Sequence, residues 1–254
     1  MKLTLVHLYP QHMNIYGDQG NLLALIYRCR QRGIKLLVKP INPGDSLKPG
    51  SFDLLFAGGG QDRHQSIVAQ DLIKRLKVIK QAADHHIPML TICGSYQLFG
   101  RYFQPFNGPK LKGIGIFDAY TVAGKQRKIG NVIVKLNYDL LLTDYRLLVG
   151  FENHSGNTFL SGSTLPLGQV IVGSGNNGQD HTEGAVVNQV FGCYLHGSLL
   201  PKNPHFADYL IHSALQNRYG SVKLKLLNDQ LEWQAHSAAV KRANKLAHPL
   251  LKYF

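Results

Sequence analysis

The stretch IPMLTICGSYQLFG, residues 87–100, decides how the rest of the chain is read. An apolar run rich in β-formers stops at Cys93, Gly94 permits a sharp reversal, and Ser95 opens a sequence with helical character. The pattern predicts a strand, an elbow and a helix start. A thiol at such a corner is pushed out of the sheet edge, where the unpaired N–H groups and positive end of the next helix favour its thiolate. Cys93 is therefore a candidate nucleophile. The competing reading is a buried cysteine that packs as a small hydrophobe.

Working outward, residues Lys2 to His7 read as a first strand, followed by the polar loop YPQHMNIYGDQGN. From Asn21 the apolar positions Leu22, Leu23, Leu25 and Ile26 mark one side of a helix that Gly33 stops, and Ile34 to Val38 is a second strand. Strand, helix, strand is the βαβ signature of a parallel sheet. After a loop from Pro40 to Gly50, the strand Phe52 to Ala57 runs into Gly58-Gly59-Gly60-Gln61-Asp62-Arg63, and Ser66 to Ala83 reads as a helix. His85 and His86 close that helix as a charge complement to its C-terminus rather than as metal ligands. From Arg101 to Gly192 the text becomes short β-prone runs separated by glycine, including 115–121, 129–136, 147–151 and 169–172. This predicts a β-rich half added to a mostly parallel sheet. A strand from Val190 to Leu195 ends in His196-Gly197, and helices follow at Pro204 to Tyr219 and from Asp229 to about Leu246.

Composition sets the outer limits. A chain of 254 residues with 44% hydrophobic content can bury a large core, and one α/β domain spanning 1–254, with a helical extension from about residue 222, accounts for the pattern. The three cysteines, Cys29, Cys93 and Cys193, lack paired spacing, so neither a disulfide framework nor a metal site is indicated and a reducing cytoplasm fits. The N-terminal apolar run is too short for a signal peptide or a membrane span. The net charge of +13 comes from scattered basic residues at helical spacing, without a nucleic-acid-binding motif.

Thiol catalysis needs a base within hydrogen-bond reach and donors where an oxyanion develops. Cys93 can supply the nucleophile, His196 the base at another strand end, and the N–H groups of Gly94 with Gly59 or Gly60 the oxyanion hole. In open parallel sheets the ligand crevice lies at the carboxyl ends of the strands, where all of these fall. The three glycines alone leave a phosphate cradle or a plain tight turn open, although no phosphate-loop spacing is present.

The motifs HLYP, NIYGDQGN, FAGGGQDRHQ, CGSYQLFG, GFENHSGNT and YLHG together resemble the class I, triad-type glutamine amidotransferases in the branch similar to cobyric acid synthase. Within that branch they look like the GatD family of glutaminase subunits. The resemblance implies a three-layer, flavodoxin-like α/β fold with a central mostly parallel sheet. It further implies attack of Cys93 on the side-chain amide of L-glutamine, a γ-glutamyl thioester, and release of ammonia. The ammonia would serve a MurT-like ligase subunit in a heterodimer, which would hold ATP and magnesium and amidate D-glutamate of lipid II in peptidoglycan synthesis; this chain would need no cofactor of its own. Arg127 in KQRKIGN matches the family's substrate-contacting arginine, and a guanidinium suits an α-carboxylate, though an exposed surface arginine is the plain alternative. Gln97 would line the pocket or support packing, and Asn153, His154 and Ser155 would contact substrate or hold their loop. Two positions depart from the family pattern: Ser95 replaces a common glycine, and Ser198 stands where ordinary triad enzymes carry a glutamate. The missing acid would come from Asp18, Glu152 or Glu183, or from the partner. A related subunit serving another acceptor such as a corrinoid, or a non-catalytic binding module of the same fold, is the alternative.

Overall fold

The structure, a computed structural model, describes residues 1–14, 17–60, 62–137, 145–196 and 198–247. Four residues of the quoted motifs, Ile15, Tyr16, Gln61 and Gly197, lie outside the described residues, as does the end of the C-terminal extension.

One sheet collects the apolar runs. Strands β1 (Lys2–Leu8), β2 (Lys35–Ile41), β3 (Leu54–Ala57), β4 (Met89–Ile92), β11 (Ala185–Val187) and β12 (Val190–Cys193) lie in the order β11-β12-β4-β3-β1-β2. All neighbouring pairs are parallel except β11 with β12. Every residue of β3, β4 and β12 is buried, as expected for strands covered on both faces. β2 instead alternates and continues through Pro40, where the sequence predicts a loop. Its edge position explains the tolerance, since a proline there forfeits no ladder bond on the open side.

Helices α1 (Gln19–Gln31) and α2 (Asp62–Asp84) connect β1 to β2 and β3 to β4. The two crossovers step in opposite directions along the sheet, so the right-handed rule puts their helices on opposite faces. α2 begins four residues before the predicted Ser66, leaving the glycine turn with almost no loop after it. Helix α4 (Pro204–Tyr219) is tied to α1 by buried ion pairs: Arg28 Nε reaches Asp208 at 2.6 Å, and Arg32 Nη2 reaches the same carboxylate at 2.6 Å. Arg28 also meets Asp229 at 2.7 Å, just before helix α5 (Gln230–Ala247). Removing one partner from such a buried network is costly because it strands the other charges.

The β half forms a second sheet. β5 (Tyr102–Gln104), β6 (Leu111–Lys112), β7 (Ala119–Leu136), β8 (Leu147–Leu160), β9 (Gly168–Val172) and β10 (Thr182–Glu183) build it around the long β7, which pairs antiparallel with β8. The predicted runs 115–121 and 129–136 fall largely within that strand, whose register shifts between Ala123 and Lys128. The polar FENHSGN stretch is likewise part of β8, with Glu152, His154 and Thr158 turned inward by the two-residue period. α5 covers this sheet through Ala243, which packs with Ile133 and Val149.

Candidate active site

Strands β1, β3, β4 and β12 are neighbours or near neighbours, and each delivers one element of the site just beyond its carboxyl end. β4 delivers Cys93. Its backbone has φ 51° and ψ −108°, a sparsely populated conformation for a residue with a Cβ, and helix α3 (Gly94–Phe99) begins immediately after it. The Cys93 N–H donates to the carbonyl of Cys193 at 2.8 Å, so the sheet ladder holds the corner. The residue is 7% exposed.

β12 leads to His196. The His196 N–H donates to the Phe151 carbonyl at 2.8 Å and the Phe151 N–H returns at 3.2 Å, a bridge that joins the two sheets at this histidine. The imidazole is fully buried and lies near the Cys93 side chain, the two bordering Gly59. On its other side, Nδ1 lies 3.2 Å from Asp18 Oδ1. Burial alone would lower the His196 pKa, but the neighbouring Cys93 side chain and the Asp18 carboxylate outweigh it and raise the value to about 10. The charged form of the ring is the favoured one.

β1 leads to Asp18, which is fully buried at the start of α1. Its carboxylate does not cap the helix. Oδ1 faces His196, and Oδ2 accepts the Gly59 N–H at 2.6 Å. Of the other two carboxylates considered for this role, Glu152 accepts the N–H groups of Ser174 at 2.9 Å and Gly175 at 3.0 Å. Glu183 accepts the Tyr194 N–H at 2.5 Å, and burial raises its pKa to about 8.

β3 supplies the glycine turn. A Cβ on Gly59 would lie 2.7 Å from His196 Cε1 and 3.2 Å from Cys93 Cβ, so the chain passes against both side chains and only glycine fits. Gly59 departs from its predicted role, because its N–H is committed to Asp18 and does not point to an oxyanion. Gly60 N lies 3.2 Å from the Cβ position of Gly94, the residue that follows Cys93, so the glycine turn packs against the elbow. N–H donors of Gly60, after β3, and of Gly94, at the start of α3, are the groups available to stabilise an oxygen anion formed on a carbonyl attacked by Cys93.

The second sheet supplies the remaining wall. His154 is buried, stacked on the Tyr194 ring at 3.6 Å, and its Nδ1 meets the Gly156 carbonyl at 3.0 Å. Burial lowers its pKa to about 3, so it is neutral. Gln97 is buried one turn beyond Cys93: its Nε2 donates to Tyr194 Oη at 3.0 Å and its Oε1 accepts from Gln65 Nε2 at 3.1 Å. Arg127 is exposed on β7, and its Nε donates to Asn153 Oδ1 at 2.7 Å. It lines a polar cavity of about 660 Å³ together with Lys128, Asn157, Ser174 and Asn177. Ser155 is half-buried on β8, between His154 and Gly156. Gln65, Tyr194 and Thr158 were missed by sequence reasoning; Tyr194 lies inside the YLHG motif, but nothing in its spacing signals a stacked tyrosine whose hydroxyl meets Thr158 Oγ1 at 2.7 Å. No cluster of three or more His, Cys, Asp or Glu side chains able to hold a metal occurs among the described residues.

The fold and this rim of thiol, imidazole and glycine turn define the class of the glutamine amidotransferases. A chain of PurLQS from Thermotoga maritima has the same architecture, with a TM-score of 0.61 at 15% identity over 85% of this chain and 99% of that one. A glutamine amidotransferase from the same organism gives 0.55 at 14% identity, covering 93% of each. More narrowly, the CobB/CobQ-like glutamine amidotransferase domain matches residues 4–204, and the chain belongs to that family. It is 36% identical over 244 residues, 96% of this chain and 97% of the relative, to the lipid II isoglutaminyl synthase (glutamine-hydrolyzing) subunit GatD of Staphylococcus aureus. The subunit of the same name from Streptococcus pneumoniae is 39% identical over 86% of this chain and 83% of its own length. Cobyric acid synthase of Pelotomaculum thermopropionicum is more distant, at 27% identity over 77% of this chain and 37% of that protein.

Proposed function

We propose that this chain is the glutamine-hydrolysing subunit of a lipid II isoglutaminyl synthase. Cys93 attacks the side-chain amide carbon of L-glutamine while the N–H groups of Gly60 and Gly94 hold the oxygen that becomes negative. His196 takes the proton of the Cys93 thiol as the sulfur attacks and passes it to the departing nitrogen, leaving a γ-glutamyl thioester and free ammonia; it then takes a proton from the water that attacks the thioester and returns it to the departing sulfur as glutamate is released. Asp18 keeps the imidazole in the productive tautomer and offsets its charge, the role of the acid in a triad. Arg127, presented beside Asn153, clamps the α-carboxylate in the polar cavity. Gln97 and His154, both held to Tyr194, pack behind the elbow, and Ser155 lies beside His154 on β8.

The observation that carries this reading is the placement of one buried imidazole against the Asp18 carboxylate and beside the Cys93 side chain, the two side chains bordering Gly59. An acid within this chain favours glutaminase chemistry that does not wait for a partner's carboxylate. The ammonia passes to a MurT-like ligase subunit in the cytoplasm, and ATP, magnesium and lipid II belong to that partner. No helix among the described residues is long and apolar enough to cross a membrane, which suits a subunit reaching lipid II through its partner.

The test is ammonia release from glutamine by the purified chain, with and without the ligase subunit. The proposal expects activity in both, abolished by Cys93→Ala, and amidated lipid II only with both subunits and ATP. Unchanged ammonia release by C93A would refute it.

A further inference from the structure

The loop after His196 grips the loop that carries Asp18. Ser198 has φ 55°, an uncommon conformation for a non-glycine residue, and in it the hydroxyl donates to the Gly17 carbonyl at 2.6 Å. The same carbonyl accepts the Gly20 N–H at 2.8 Å, closing a tight turn from Gly17 to Gly20 whose second residue is Asp18. Contact is close enough that a Cβ on Gly20 would fall 2.1 Å from Ser198 Oγ. Two residues on, the Leu200 N–H donates to Asn21 Oδ1 at 2.8 Å, with Asn21 fully buried. The segment from Ser198 to Leu200 thus holds both ends of the turn.

We propose that Ser198 is a positioning residue, whose hydroxyl fixes the Gly17 to Gly20 turn so that Asp18 stays against His196. This rests on the glutaminase reading above. Asp18 does not cap its own helix and spends both oxygens on His196 and Gly59, so its placement depends on the turn that carries it. The position that resemblance assigns to a triad carboxylate is filled here by a hydroxyl. That hydroxyl anchors an acid arriving from the opposite end of the chain.

The experiment compares Ser198→Ala and Ser198→Gly, each in the wild-type chain and in an Asp18→Asn background, measuring kcat and KM for ammonia release together with thermal melting. Both variants lack the hydroxyl, while glycine also removes the positive-φ strain, so an effect shared by both belongs to the hydroxyl. Losing one such hydrogen bond is expected to lower kcat about fivefold to tenfold, with KM within about twofold. In the Asp18→Asn background neither change should lower kcat further, because Ser198 acts through the carboxylate already removed. An unchanged kcat in S198G, or an equal fall in both backgrounds, overturns the proposal. Glutaminase activity surviving in C93A would instead overturn the reading beneath it.

Discussion

Asp18 and His196 meet at 3.2 Å across 178 residues of sequence, both fully buried, one beyond the first strand of the sheet and the other beyond the last. Replacing the carboxylate by an amide keeps the shape and removes the charge that orients the ring. Asp18→Asn is expected to lower kcat by roughly 10²-fold to 10⁴-fold, the upper figure being the loss in the template serine triad, with little change in KM. Steady-state ammonia release checks this, and a kcat within threefold of wild type would remove Asp18 from the mechanism.

The surroundings of His196, Cys93 first and Asp18 after it, make stability depend on pH. The folded pKa of His196, about 10, lies above the usual 6.5, so the stabilisation of its charged form is complete below about 6.5 and is lost as pH rises through about 10. The melting temperature of wild type should therefore fall toward that of His196→Asn over this window, by about 3 °C or more. Melting curves of both proteins across the pH range measure it, and a constant gap would mean that the ring is neutral throughout.

Strain at the elbow gives a third expectation. Cys93 holds φ 51°, where a side chain costs on the order of 1 kcal/mol or more and glycine costs none. Cys93→Gly should be more stable than Cys93→Ala by about 1 kcal/mol, although both are inactive. Denaturant unfolding decides the order, and an alanine variant as stable as the glycine one would show the corner to be unstrained.

Arg127 sits outside this centre, exposed and paired with Asn153. If it clamps the substrate carboxylate, Arg127→Ala should raise KM for glutamine about tenfold to 100-fold while kcat changes far less. Arg127→Lys should rescue only part of the loss, because an ammonium cannot make the two-pronged contact. Equal kinetics in all three proteins would return Arg127 to the role of an ordinary surface residue.

Much of this centre was legible in the sequence because parallel sheets concentrate chemistry at strand ends. Cys93 before Gly94, His196 after a buried run, and Gly58 to Gly60 after β3 each announce a strand that stops and a chain that turns. The acid could be narrowed to three carboxylates of this chain or one from the partner but not chosen, since nothing local in NIYGDQGN tells that Asp18 turns away from its helix toward His196. Gly59 shows the opposite failure: its place beside the thiol was readable, but the destination of its N–H depended on that same carboxylate. Long β7 and β8 were hidden because glycine and polar residues in their middles break the alternation that marks a strand. The two-residue strands β6 and β10 are too short to have any period.

A covalent intermediate at one sulfur is the most direct consequence of this mechanism. Acid quenching during turnover of glutamine, followed by peptide mass analysis, should find a γ-glutamyl group on the peptide containing Cys93, absent from the peptides of Cys29 and Cys193. Asp18→Asn should still form that adduct, more slowly. Steady ammonia release with Cys93 unmodified at every time point, or an adduct on another cysteine, would contradict the account.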